Sequence, residues 1–387
     1  MARDEMTVLG EQTRLDYFGS ADMYLNVLKI EELKNFDRDS YNEAIFPYKA
    51  EGPLDTPLPT VRDIHAAFLA DAGADYTHVR ENPKSVTLLM EPYYVKVSLR
   101  GVVMREAENM IYLEKNSAVR TAKLYAAFSS REVNIFNLNE EETPLCHYVI
   151  QGVVKGENLY DLRDDLDLPY NRKICEQLGA MMAEQLGKLR DTPPENPNHF
   201  GNVNGRPYNS FNTSVIFPED LDNPTYGPFT YEQLVDRMIH SSRIVKAYTS
   251  QPNSFSIEFG RNARRGLIEI TTPDDRLPVL SHMDLDGSNV IIQVKRSEKE
   301  GEEKKIIAIE NVVFIDWELM CWMPGWYEAG RVYNLSDIAY GNIFKAFGSY
   351  ESIMAMGHMK PVPFAYFTTA NTISYNIIQF LIYLFFS

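Results

Sequence analysis

Two aspartates and an asparagine, Asp284, Asn289 and Asp316, form a set with chemical potential. The first two stand in Ser281-His282-Met283-Asp284-Leu285-Asp286-Gly287-Ser288-Asn289, and the third follows 27 residues after Asn289, in Ile315-Asp316-Trp317-Glu318. Carboxylate and amide oxygens hold a hard divalent cation against phosphate oxygens, and a carboxylate can orient and deprotonate an acceptor hydroxyl. The chemistry that fits is phosphoryl transfer, with His282 organising the loop rather than serving as the base. Singly, each piece has a plainer explanation: Asp284 and Asp286 form a polar turn before a strand, and Asp316 caps the apolar run that precedes it. A third piece upstream shifts the balance. Lys96 lies in the strand-like Tyr94-Val95-Lys96-Val97, and Glu106 opens a helical stretch after Arg105. A strand lysine paired with a helix glutamate positions nucleotide phosphates; alone, they are a solvent-facing strand residue and a favourable first-turn acid.

Such groups need elements to hold them. Thr60 can cap a helix in which Ile64, Ala67, Phe68 and Ala70 recur near helical spacing. Strand patterns follow at 85–90 and 93–98, a helix at 105–115 and another strand at 147–154. Beyond 158 the pattern turns helical: Ile174, Leu178, Met181, Met182, Leu186 and Leu189 share one face, and Pro193-Pro194 stops the helix. A loop-rich stretch spans 196–228, a helix is expected over 231–249, and β-rich runs at 279–281, 289–294 and 306–315 surround a charged insert. Nine of the eleven residues from Lys295 to Lys305 are charged, as in a solvated hairpin tip.

Composition bounds the class. The 387 residues are 44% hydrophobic and 24% charged, ample for a core. A formal net charge of -16 argues against nucleic acid as a partner. Three scattered cysteines, Cys146, Cys175 and Cys321, supply neither a disulfide framework nor a zinc site, as expected of a reducing, cytoplasmic setting. Twelve acids against six bases mark the first 59 residues, and the N-terminus lacks an apolar signal core. From Pro361 onward no charged residue occurs; that stretch reads as a buried terminal helix or, less simply given its Thr, Ser and Asn content, as a tail anchor.

Taken together, Val95-Lys96, Glu106, the strand Tyr148-Val149-Ile150-Gln151 running on to Gly156-Glu157-Asn158-Leu159, His282-x-Asp284-x4-Asn289 and Ile315-Asp316-Trp317-Glu318 resemble the aminoglycoside phosphotransferase and choline kinase-like small-molecule kinases. The likeness is nearest to their large fungal branch, through Leu58-Pro59-Thr60, the 120–128 segment, Leu189-Arg190 before Pro193, and Cys321 to Glu328. It covers roughly residues 58–335. The resemblance implies an α+β, bilobal protein kinase-like fold: an acidic extension over 1–57, a small mixed β/α N-lobe over 58–150, a hinge at 151–157, a larger mainly helical C-lobe over 158–345 and an atypical uncharged tail over 346–387. It implies ATP and magnesium as cofactors and a small-molecule hydroxyl as acceptor. Asp284 would be the catalytic base, Asn289 and Asp316 the metal ligands, Lys96 the phosphate contact and Glu106 its ion-pair partner. The main chain of Gln151 and Val153 would meet adenine, with Ile150 behind it and Trp317 and Glu318 at the acceptor mouth. Acids at 286, 318 and 328 suit a cationic or polyhydroxylated acceptor.

This sequence departs from the family where Met283 replaces the usual glycine after the histidine, and no glycine-rich loop precedes Lys96; the nearest turn is Arg80-Glu81-Asn82-Pro83-Lys84. A non-catalytic nucleotide-binding pseudokinase or scaffold on the same fold is therefore the alternative. Trp317, Trp322 and Trp326 fall within ten residues, more simply a packed cluster than a substrate cage.

Overall fold

A computed structural model describes residues 3–37, 39–72, 85–136, 143–166, 172–209, 216–248, 261, 264–270, 273, 276–297, 305–325 and 327. The turn at 80–84, the tip of the charged insert, Trp326, Glu328 and the uncharged C-terminal stretch lie outside these residues. In chain order come helices α1 (Arg3–Phe18) and α2 (Met23–Asn35), strand β1 (Tyr48–Lys49), helix α3 (Val61–Ala72), strands β2 (Ser85–Met90) and β3 (Tyr93–Ser98), and helix α4 (Val102–Asn116). Strands β4 (Leu124–Ser130), β5 (Cys146–Gly152) and β6 (Glu157–Asn158) follow, then helices α5 (Arg163–Leu166), α6 (Arg172–Arg190) and α7 (Tyr231–Tyr248). Strands β7 (Pro278–Ser281), β8 (Val290–Arg296), β9 (Ile306–Phe314) and β10 (Cys321–Pro324) complete the described elements. The architecture is mixed α+β, and the strand pairs of its three sheets are antiparallel. The chain forms two units, each from discontinuous stretches: a sheet unit of Arg38–Leu162 and Ser288–Leu319, and a helical unit of Met1–Asp37, Arg163–Gly287 and Met320–Ser387.

The sheet unit is built on five strands in the order β1-β4-β5-β3-β2. Side chains alternate across a strand, so Val95, Val97, Cys146, Tyr148 and Ile150 fall on one face. There they pack with Val61, Ile64 and Phe68 of α3, each fully buried apolar side chain contributing roughly 1.5–3 kcal/mol. Thr60 and Asp63 cap α3 reciprocally: Asp63 N–H donates to Thr60 Oγ1 at 3.2 Å, and Thr60 N–H to Asp63 Oδ2 at 2.8 Å. Lys96, Val149 and Gln151 take the opposite face, with α4.

Helix α4 is buried from Val102 through Leu113, including Arg105, Glu106, Glu108 and Asn109. A helix enclosed on all sides must satisfy its polar side chains internally, and the preceding acidic segment helps. Gly101 N–H donates to Asp39 Oδ1 at 2.8 Å, Asn42 N–H to Glu108 Oε2 at 3.2 Å and the Tyr48 hydroxyl to Glu114 Oε2 at 3.2 Å. The segment then joins the sheet as β1, with Tyr48 opposite Ala127 of β4. Because Asp39 takes an N–H just before its first turn, α4 starts three residues ahead of the expected Arg105. Position 101 requires glycine, since a Cβ there would lie 2.1 Å from the Asp39 carbonyl oxygen. A three-stranded sheet, β6-β8-β9, completes this unit. The Ser297 N–H to Lys305 oxygen bond continues the β8–β9 ladder into the charged insert.

In the helical unit, Tyr17 and Phe18 of α1 pack with Ile30 and Leu33 of α2, with Ile244 of α7 and with Phe217 from the loop before it. The Tyr17 hydroxyl donates to the Pro218 oxygen at 2.7 Å. Helix α6 ends at Arg190, ahead of the proline pair that the sequence offered as its stop. Strand β7 pairs with β10, placing Ser281 opposite Cys321. Trp322 is buried; its N–H donates to the Gly201 oxygen at 2.8 Å and its oxygen accepts from the Tyr208 hydroxyl at 2.6 Å. All three cysteines are buried, and none is in a disulfide. Among the described residues, no helix is long and apolar enough to cross a membrane.

Candidate active site

Lys96 is the centre of the sheet unit's polar cluster. Its Nζ donates to Glu106 Oε2 at 2.7 Å and to Asp316 Oδ1 at 2.8 Å. The residues come from β3, α4 and the turn after β9, so the lysine ties three elements together. The Lys96 side chain is 17% exposed and that of Glu106 only 1%, so their attraction is only weakly screened by water. Burial pulls the ammonium's pKa down, but Glu106 and Asp316 outweigh it, and the lysine titrates above its ordinary range. The other oxygen of Glu106 accepts from Gln151 Nε2 at 3.1 Å.

The β8–β9 register closes the gap between Asn289 and Asp316. Val290 pairs with Phe314, and Ile315 N–H donates to the Asn289 oxygen at 3.0 Å. Both metal-ligand candidates therefore stand at one end of the hairpin, Asn289 one residue before β8 and Asp316 two residues after β9. Asp316 is held there with φ 66°, a left-handed backbone that Asp tolerates better than most residues. Its neighbour is pinned from two sides. Trp317 is buried, its oxygen accepts from Asn109 Nδ2 of α4 at 2.7 Å, and its Nε1–H donates to Thr121 Oγ1 at 2.6 Å. Glu106 and Asn109, three residues apart on α4, thus hold Lys96 and the Asp316 turn.

Asp284 belongs to the helical unit, in the loop after β7. His282 is fully buried, and its Nδ1 accepts the Asp284 N–H at 3.3 Å, the loop-organising role its sequence position suggests. The Asp286 N–H donates to the Asp284 oxygen at 3.0 Å, tightening the turn. Met283 adopts φ 71°. That conformation favours glycine and costs other residues roughly 1–2 kcal/mol. Here a methionine pays it while burying its side chain to 5% exposure.

Glu318, two residues after Asp316 in the sheet unit, has its carboxyl pushed up to about 7, first by burial and then by the Asp316 and Glu106 carboxylates, against the pull of Lys96 and Arg105. An acid whose folded pKa exceeds its unfolded value of 4.5 stays protonated in the native state while the unfolded chain releases its proton. In the metal-free protein, Glu318 should therefore lower stability progressively as pH rises from 4.5 to about 7, with no further loss above that. Urea midpoints measured across this range should show the slope in wild type and a flatter profile in Glu318→Gln; parallel profiles would refute it.

The structure brings Lys96, Glu106, Asp316, Asn289 and the Gln151 side chain into one unit, with Trp317 and Glu318 on the same turn as Asp316. Val153 follows β5, and its N–H donates to the Pro92 oxygen at 3.1 Å. Ile150 faces the apolar cluster with α3, and the residue reaching Glu106 is Gln151. The sequence reading missed Asn109, Thr121 and Asp39. A polar residue three places after Glu106 on a buried helix was a usable signal for Asn109; nothing local marked the others. Among the described residues, no cluster of three or more His, Cys, Asp or Glu side chains could by itself hold a metal. One carboxylate and one amide oxygen nevertheless suit magnesium, which binds through one or two carboxylates and completes its shell with water and substrate phosphates.

Neither a protein-family model nor a curated protein matches the sequence. Among solved structures, WaaP in complex with acyl carrier protein is similar with a TM-score of 0.37 and 9% identity, over 80% of this chain and 88% of that one. A Ralstonia eutropha protein provisionally described as an aminoglycoside phosphotransferase has a TM-score of 0.35 and 12% identity, over 78% of this chain and 86% of its own. Likeness this remote assigns neither a family nor an activity.

Proposed function

We propose that this chain is a kinase-like phosphotransferase that moves the γ-phosphoryl group of ATP, with magnesium, to a hydroxyl of a small molecule. The observation that carries the reading is Lys96 bonded at once to Glu106 and Asp316, with Asn289 tied to the turn of Asp316 by strand register. A buried cation gripped by a helix carboxylate is preorganised for a phosphate, with little side-chain freedom left to lose on binding. Magnesium, when bound, would neutralise the developing charge on the phosphate oxygens. Asp316 and Asn289 would hold it, Asp284 would take the acceptor proton, and main-chain groups at Gln151 and Val153 would receive the base, at Val153 through its carbonyl oxygen because its N–H is given to the Pro92 oxygen. In the bilobal reading, residues 58–150 would be the N-lobe, 151–157 the hinge and 158–345 the C-lobe, so the sheet unit would draw its 288–319 hairpin from the C-lobe. Asp286 and Glu318 would suit a cationic or polyhydroxylated acceptor, with Glu318 contributing a hydrogen-bonding acid below about pH 7 and a negative charge above it.

Met283 in its left-handed conformation supports a second reading, a nucleotide-binding protein without turnover, because the loop carries a side chain where backbone freedom is wanted. Mg-ATP turnover by purified wild type and Asp284→Asn separates the two. The phosphotransferase reading expects turnover in wild type and a loss of about a hundredfold or more in the variant. Equal background rates would remove the enzyme and leave the binding protein.

A further inference from the structure

Both oxygens of the Glu106 carboxylate are occupied by protein donors, Oε2 by Lys96 Nζ at 2.7 Å and Oε1 by Gln151 Nε2 at 3.1 Å. Glu106 is 1% exposed and Gln151 4%, so water has little access to replace either donor. A carboxylate held at one oxygen can turn about its last torsion, whereas turning one held at both breaks a bond. The Gln151 amide has only one acceptable orientation, because its own oxygen would be repelled by the carboxylate. A neutral donor also suits the position. A second cation there would compete with Lys96 for Glu106, while an amide fixes the carboxylate and leaves its charge to the lysine. Gln151 lies near the end of β5, two positions before Val153, in the segment proposed to receive the base.

We propose that the Gln151 side chain is a positioning residue that locks the Glu106 carboxylate and thereby keeps Lys96 aimed, joining the base-receiving segment to the phosphate-receiving lysine. This rests on the phosphotransfer reading above. The buried amide's bond to an ionised partner sets the expected size, since losing such a bond typically changes an equilibrium by about tenfold or more.

The test uses the full chain and Gln151→Met, which matches glutamine in length and lacks the donor. Acetylation of Lys96 by acetic anhydride, read by mass spectrometry without nucleotide, should be about tenfold faster in the variant, and KM for Mg-ATP should rise about tenfold with a smaller change in kcat. In a Glu106→Ala background, adding Gln151→Met should change neither quantity, because the partner through which it acts is gone. Should Gln151→Met not fold, Gln151→Asn retains the amide but withdraws it by one methylene, and the same direction is expected. Wild-type values in the single variant, or full additivity with Glu106→Ala, would overturn the role. If Mg-ATP neither turns over nor shields Lys96 from acetylation in wild type, the phosphotransfer reading fails; the labelling difference between wild type and variant still decides what Gln151 does.

Discussion

Replacing Lys96 by methionine is expected to destabilise the folded chain by about 3–5 kcal/mol, the loss typical when one member of a buried ion pair is removed. The cause is the partner left behind: the Glu106 side chain is 1% exposed, and its remaining bond, from Gln151, is to a neutral amide. Much of the loss should return in the double variant Lys96→Met with Glu106→Gln, because the stranded charge disappears. Urea unfolding of wild type, both single variants and the double variant measures this directly, and equal stability of Lys96→Met and wild type would refute it. The pH dependence has a definite sign. A lysine whose folded pKa is raised contributes its full stabilisation below its ordinary value of 10.5 and loses it only as pH climbs through the higher folded value. Between neutral pH and 10.5, the stability difference between wild type and Lys96→Met should therefore show no decline attributable to Lys96.

Asp316→Asn should lower Mg-ATP turnover by about a thousandfold while leaving the fold largely intact. Asparagine has nearly the same shape and also tolerates the left-handed backbone that φ 66° imposes, so the turn should persist. What disappears is the negative charge that pairs with Lys96 at 2.8 Å and the carboxylate proposed for magnesium. Alanine is the poorer test, because it adds backbone strain to the loss of charge and mixes folding with chemistry. Turnover in Asp316→Asn within a factor of a few of wild type would remove Asp316 from the mechanism. Far-ultraviolet circular dichroism and a urea midpoint on the same sample would show whether the turn survived.

Local pattern carried much of the framework. The strands at 85–90 and 93–98 form where Val, Tyr and Leu are concentrated, and α6 and α7 fall on the stretches expected to be helical. The loop role of His282 was readable because a histidine two residues before an acid can accept that residue's N–H without any distant partner. Lys96, Glu106 and Asp316 could be suspected from residue type and spacing, since a strand lysine and a helix acid only ten residues apart have few ways to avoid one another.

Other features had no local signature. Alternation shows that Ile150 and Gln151 lie on opposite faces of β5, but not which face receives α4; that was settled when α3 covered Ile150 and α4 covered Lys96 and Gln151. Acidic composition marked the first 59 residues as an extension, yet Asp39 at Gly101 and Tyr48 at Glu114 are contacts across more than sixty residues, invisible in any local window.

Residue types and local periodicity were enough to mark the candidate chemical side chains and the short stretches of strand or helix, because they act over a few neighbours. It took the folded arrangement to put Asn289 and Asp316 at a shared hairpin end, to anchor Trp317, next to Asp316, on Asn109 and Thr121, and to bring Gln151 onto Glu106. Those outcomes depend on strand register and on which buried polar groups find each other once water is excluded, and both are properties of the assembled core.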